Sequence, residues 1–221
     1  MPKNGKAPPE GYEIIEPVID ALENELRDKV KESNLNKRNN ESIWPVHQIN
    51  NQKSRYIYDM YYTYNRISKK VYDYCLKQKI ADALLIAKWK KPGYERLCST
   101  YVINPSNYKF GTTSICRVPI KDRGENAKNA IDPTTGCHGC ASGMGAGPRN
   151  IFGNKYGQNL AAVQIARENR IAAMEVRGIQ LFIYDNHAFD ELIILLFFIL
   201  LIVTGEEGSN PTTERNGRRA K

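Results

Sequence analysis

Residues 98–147 limit what this chain can fold into more than any other part of it. The stretch is rich in Gly, Pro, Asn, Ser and Thr and poor in large apolar side chains. Such a segment cannot bury a core of its own. Something must hold it, and in a reducing compartment the usual holder is a metal ion. Four of the five cysteines fall here, at Cys98, Cys116, Cys137 and Cys140. The start, MPKNGKAPPEGYE, has no apolar secretory stretch. Cytosolic or nuclear thiols are therefore expected rather than a disulfide framework.

Cys137-His138-Gly139-Cys140 is a C-x-x-C turn on a glycine. The spacing lets two thiolates face one metal, and Gly permits the tight turn. One such pair is a weak signal, because zinc modules usually carry two. Cys98 and Cys116 could complete a tetrahedral zinc site, and spacing alone leaves that open. Cys75 falls on an apolar helical stripe and reads as a buried structural thiol. A haem attachment needs His after the second Cys, where Ala141 stands. A thioredoxin-type pair needs a βαβ context, which is not visible. His138 is expected to face away from the cysteines, and His47 and His187 have no partner pattern. Gly143-Met144-Gly145-Ala146-Gly147 lacks the strand and the G-K-[ST] of a phosphate loop, and reads as a flexible linker. No Ser/His/Asp set, H-E-x-x-H or spaced carboxylate pair is present, so no enzyme is expected.

The net charge of +8 is concentrated. Residues 42–100 hold eleven bases against four acids, which accounts for seven of the eight charges, and also eight of the 13 tyrosines. Bases interleaved with aromatics can neutralise phosphate and stack on bases. Tyrosines at helical spacing more often pack a core, and lysines more often face water. For the window as a whole, the concentrated charge favours a surface that faces nucleic acid.

Helical periodicity dominates the first hundred residues. Pro17 suits the first turn of a helix running to about Lys31, with Val18, Ala21, Leu22, Leu26 and Val30 on one stripe. A longer helix is predicted after Ser42, its N-cap, with Pro45 in the first turn. Its apolar face would use Ile43, Val46, Ile49, Tyr56, Ile57, Met60 and Tyr64. Ser68 should cap a short helix carrying Val71, Tyr72, Cys75 and Leu76. Asp82 should cap another carrying Leu84, Leu85, Ile86 and Trp89, stopped by Pro92-Gly93. Short connections between them suggest a bundle. Further on, 159–177 has helical periodicity through Leu160, Val163, Ile165, Ala166 and Met174. Leu192 to Val203 is twelve unbroken apolar residues. As a helix it would span roughly 18 Å, short of the ~30 Å hydrocarbon core. A buried strand or core helix is therefore expected over a membrane anchor. The last residues, from Gly205, read as a polar disordered end.

Several strings together resemble one family. They are Lys6-Ala7-Pro8-Pro9 with Gly11, Gln52-Lys53-Ser54-Arg55-Tyr56-Ile57-Tyr58-Asp59, Ile67-Ser68 with Tyr72-Asp73-Tyr74-Cys75, and Leu85-Ile86-Ala87-Lys88-Trp89-Lys90-Lys91 with Gly93-Tyr94-Glu95. Ile115-Cys116-Arg117-Val118-Pro119 and Gly136-Cys137-His138-Gly139-Cys140 complete them. From about Met1 to Gly143 the chain resembles the G-ten family, also called bud site selection protein thirty-one. These are small nuclear proteins of the spliceosome. The resemblance implies a mainly α fold: a helical basic part over residues 1–96, an irregular Cys-rich zinc-binding segment over 97–145, and an extension over 146–221 foreign to the family. It implies a non-enzymatic splicing component, one chain within a large complex, that touches small nuclear RNA, pre-mRNA and scaffold proteins. The bases expected to face phosphate are Lys53, Arg55, Lys88, Lys90, Lys91 and Arg117. The rival expectation is a membrane-tethered or divergent adaptor built on the apolar tail.

The departures from the family bear on the metal. Its nine cysteines hold a cluster of three zinc ions, and this chain keeps Cys98, Cys116, Cys137 and Cys140. Ser99, Val102, Ser114, Asp132 and Thr135 stand where the others would be. The resemblance thus implies one zinc rather than three, with Asp132 a conceivable substitute ligand. The basic N-terminal stretch is thinned to Lys3 and Lys6, which leaves a nuclear import signal there in doubt.

Overall fold

A computed structural model describes residues 7–32, 37–155 and 157–177. The chain divides into two compact units, residues 1–166 and 167–221. Of the second, residues 167–177 are described, and they are helical. The apolar run from Leu192 to Val203, the polar end, His187, Lys3 and Lys6 lie outside the described residues. No helix among the described residues is long and apolar enough to cross a membrane.

The first unit is helical, with no strand among its described residues. Helix α1 spans Glu16–Lys31, with proline in its first turn. Its buried side is Ile19 and Leu22, preceded by Ile15. Leu22 is buried where predicted and Leu26 is half-buried, while the stripe begins at Ile15 and Ile19 rather than at Val18, which is half-buried, and Ala21, which is exposed. Val30, also predicted on the stripe, is exposed in the last turn of the helix.

Helix α2 spans Trp44–Tyr58 and continues as a π-helical turn, Asp59–Thr63. The predicted cap at Ser42 is not made. Ser42 lies in a 3-10 turn, Glu41–Ile43, and its hydroxyl donates back to the Asn39 carbonyl at 2.7 Å. Ile43 and Val46 are exposed, while Ile49, Tyr56, Ile57 and Met60 are buried. The face also buries Asn51, Gln52 and Ser54, which the apolar pattern could not reveal.

Helix α3, Lys69–Lys77, is capped by Ser68, whose Oγ accepts from the Val71 amide. Helix α4, Ala83–Trp89, is capped by Asp82, whose Oδ1 accepts from Leu84 and Leu85. Both caps fall where the sequence places them. Leu85, Ile86 and Trp89 are buried, but Leu84 is exposed, since it lies on the far side of a two-turn helix. Cys75 sits in the core at zero exposure, and burial pushes its thiol up to about 12.

Beyond α4 the chain winds through six short 3-10 turns between Thr100 and Ala127. The glycine run 143–147 is docked, contrary to the flexible linker predicted for it. Ile120 N donates to the Ala146 carbonyl, and Arg96 reaches the Gly147 and Pro148 carbonyls. Gly147 packs so close to Gly139 that a Cβ would come within 2.6 Å of its carbonyl oxygen. Gly147 thus serves close approach of two backbones, while Gly143 and Gly145 take positive φ in the turn before it. Ile151, Phe152 and Ala161 join the same core.

Candidate metal centre

Each cysteine is placed by a different part of the chain. Cys98 follows the turn after α4. The Asn51 amide of α2 donates to the Leu97 and Cys98 carbonyls at 3.1 and 2.8 Å, and the Trp89 indole also donates to Leu97. Cys116 sits in a 3-10 turn, Ile115–Arg117, capped by Ser114. Its carbonyl accepts from the amides of Cys140 and Ala141. Cys137 and Cys140 form the C-x-x-C turn, with Cys137 O accepting from Asp132 N and His138 N donating to Ile151 O.

All four sulfurs are fully buried and lie within 4.8 Å of one another. Cys98, Cys116 and Cys140 are separated pairwise by 3.9, 3.6 and 3.7 Å. A tetrahedron with metal–sulfur distances of about 2.3 Å has edges of about 3.8 Å. The cage therefore fits one four-thiolate ion, and none of its cysteines is in a disulfide. Burial pushes the Cys98 thiol up, and hydrogen bonding with Cys116 and Cys140 pushes Cys137 up. Burial opposes ionisation of Cys140 too. Hydrogen bonds from the other three sulfurs and the Arg117 charge outweigh it and hold that thiol well below its ordinary value. Negative charge is thus favoured at Cys140 and opposed at Cys98 and Cys137, so an ion that binds here must displace protons.

Around the cage lies a polar network. Asp132 is fully buried. Its Oδ2 accepts from the Thr135 amide and hydroxyl at 2.8 and 2.7 Å, and its Oδ1 accepts from Ser114 and from Tyr108. Ser114 Oγ in turn lies 3.1 Å from Cys116 Sγ, and Thr135 Oγ1 lies 3.9 Å from Cys98 Sγ. Asp132 is therefore engaged by hydroxyls and is not one of the grouped ligands. Val102 is buried without polar contact, and Ser99 faces His47 Nδ1 at 3.5 Å. His138 is outside the cage, its ring packed against Gly153.

The six bases predicted to face phosphate do not share one environment. Lys53 pairs with Glu23 at 3.2 Å and is nearly buried. Arg55 pairs with Asp59, donates to the Glu95 carbonyl and stands over the Tyr58 and Trp89 rings at 5.2 Å. Arg117 faces Cys140 and Gly93. Lys88, Lys90 and Lys91 cluster at the C-terminal end of α4, with Lys90 and Lys91 exposed. Lys88 lies 5.8 Å from the Tyr94 ring centre, and Lys90 donates to Tyr62 Oη at 2.6 Å. Of the eight tyrosines in the basic window, Tyr62 alone is exposed. The rest pack, as in the stacked pair Tyr61–Tyr72 at 4.5 Å.

Comparison with known proteins bears on the same region. The family model described as "Pre-mRNA-splicing factor BUD31" matches residues 1–142, which include all four grouped cysteines. Protein BUD31 homolog 2 of Oryza sativa subsp. japonica is 49% identical over 135 residues, covering 61% of this chain and 92% of the relative. The BUD31 homolog of Branchiostoma belcheri is 46% identical over 144 residues, covering 64% and 99%. Pre-mRNA-splicing factor BUD31 of Saccharomyces cerevisiae is 42% identical over 149 residues, covering 63% and 95%. Helical architecture, buried cysteine cage and matched sequence coincide over one stretch, and the chain belongs to the BUD31 family.

Proposed function

We propose that this chain is a non-enzymatic pre-mRNA-splicing factor, a structural component of the spliceosome acting in the nucleus. The observation that carries the reading is its family membership, with relatives named as splicing factors at 42% identity in two yeasts. In this reading Cys98, Cys116, Cys137 and Cys140 hold one zinc ion, which ties residues 98–147 onto the helices. The near-tetrahedral sulfur spacing and the engagement of Asp132 by hydroxyls support a single ion. When bound, zinc here is structural: a closed four-thiolate set keeps no open position for substrate.

The chain contacts small nuclear RNA, pre-mRNA and scaffold proteins as one copy within the complex. Lys88, Lys90 and Lys91 lead the RNA contact, because their cluster at the end of α4 offers positive charge toward solvent. Lys53, Arg55 and Arg117 contribute field rather than direct phosphate bonds. These bases position the nucleic acid and read no sequence. The test is the double variant Lys88→Glu/Lys90→Glu in nuclear extract. Weakened RNA crosslinking and reduced incorporation into splicing complexes are expected. Unchanged crosslinking with unchanged incorporation sinks the assignment. Native mass spectrometry reads the metal separately: one zinc per chain is expected, and zero or three overturn the single-site reading.

A further inference from the structure

Two arginines flank the turn that joins Cys137 to Cys140. Arg117 Nη1 donates to the Cys140 carbonyl and lies 3.6 Å from Cys140 Sγ. Its Nη2 donates to the Gly93 carbonyl at 2.7 Å, and the guanidinium stands 5.1 Å from the Tyr94 ring centre. Arg123 is 5% exposed. Its Nε donates to the Val118 carbonyl, and its Nη1 to the carbonyls of Ala130 and His138, at 3.0 to 3.1 Å. Its Nη2 packs against Gly139, where a Cβ would come within 3.1 Å of it, and has no hydrogen-bond partner.

Neither guanidinium has an ion-pair partner among the described residues. Glu95 feels the Arg117 charge, but its carboxylate accepts from the Gly93 amide at 3.0 Å. Taking the Arg123 guanidinium out of water without an anion is costly, whereas Arg117 is half-buried. Backbone carbonyls offset part of that cost by accepting hydrogen bonds, and they carry no full charge. The strong source of negative charge beside Arg117 is the sulfur cage, with Cys140 Sγ 3.6 Å from Nη1, and Arg123 reaches the same cage through the His138 carbonyl and Gly139, inside the turn that joins Cys137 to Cys140. A divalent ion on four thiolates carries a net charge of minus two, and two guanidinium groups balance it.

We infer that Arg117 and Arg123 are the countercharge of the metal–thiolate centre: positioning residues that tighten its hold on a divalent ion. The inference rests on the metal reading of the four cysteines. It also explains why Arg117, though basic, is turned inward.

The test is competitive zinc titration of the full chain against a chromophoric chelator, with cobalt substitution as a check on ligation. Arg117→Gln should loosen zinc by about tenfold to a hundredfold, the range seen when groups supporting metal ligands are removed. The cobalt–thiolate spectrum should keep four-sulfur character. Arg117→Lys, which keeps the charge and loses the fork, should recover most of the affinity. Arg123→Gln should behave like Arg117→Gln. A glutamine variant with native affinity overturns the inference, and so does an equal loss in the lysine and glutamine variants, which would assign the effect to hydrogen bonding alone. If neither glutamine variant folds, Arg117→Lys decides: near-native affinity keeps the inference, and a loss of about tenfold overturns it. A native chain that takes up no zinc sinks the metal reading itself, which is a distinct result.

Discussion

Gly136 lies flat against Trp44, so close that a Cβ on the glycine would come within 2.7 Å of the indole ring. The Trp44 indole donates to the Pro133 carbonyl at 2.8 Å. The first residue of α2 thus docks the loop that leads into Cys137. Gly136 also has φ +68, where L side chains are strained.

Gly136→Ala tests that docking. Left-handed strain alone costs about 1–2 kcal/mol, and the clash with a ring that is itself hydrogen-bonded adds to it. Urea unfolding of the zinc-loaded chain should show a lower midpoint, and zinc affinity should fall with it, since Cys137 is the next residue. A midpoint unchanged from native removes the docking role.

Metal removal should act regionally. Residues 98–147 carry little apolar burial apart from the cysteines, whereas α1 to α4 share a core through Ile15, Ile19, Tyr56, Ile57, Met60, Val71 and Leu85. A strong zinc chelator should abolish amide protection in 98–147 while the core of α2 to α4 keeps part of its own. The effect should be pH-dependent with a definite sign. Ligation needs thiolates, and burial raises Cys98. Protons therefore compete more strongly as pH falls, and chelation should become easier at lower pH. Uniform loss of protection across the chain would show that the metal holds the whole unit.

The sequence made much of this legible, for identifiable reasons. Ser68 and Asp82 were readable as caps because capping depends on one local side chain. The four cysteines were readable as candidates because thiols in a weak core announce themselves by composition. Leu22 was placed correctly on α1, but Val18 was read in place of Ile19 because both are apolar, and only tertiary packing decides which turns further inward. Asn51 and Arg117 were not readable in their true roles. An asparagine clamping Cys98 from 47 positions away, and a base turned toward sulfur, are tertiary facts that no local pattern encodes.

Asp132 separates support from ligation. Asp132→Ala leaves the Ser114 and Thr135 hydroxyls and the Thr135 amide without their acceptor. Each buried donor so stranded costs about 1–3 kcal/mol. Stability of the loaded chain should drop accordingly, read by urea unfolding. Zinc stoichiometry should stay at one, because the four sulfurs are intact. A variant that binds no zinc while remaining folded would make Asp132 a ligand and contradict the hydrogen-bonded placement found for it.

His47 gives a second pH signature, distinct from that of the metal. Burial lowers its pKa below the ordinary histidine value, against a weaker opposing pull from Asp132. The unfolded chain therefore takes up this proton first as pH falls. Its contribution to stability is fully present above the unfolded value of about 6.5. It is lost progressively as pH drops through the folded value, and it levels off below. His47→Gln removes that component and leaves the cysteines alone. Urea midpoints of native and variant chains should be compared at pH 7.5 and 5.5 with equal zinc. The acid-induced loss tied to zinc is common to both, so the native chain should lose more than the variant. Equal losses would show that the His47 imidazole is as easily protonated folded as unfolded, and that the Ser99 contact leaves it open to water.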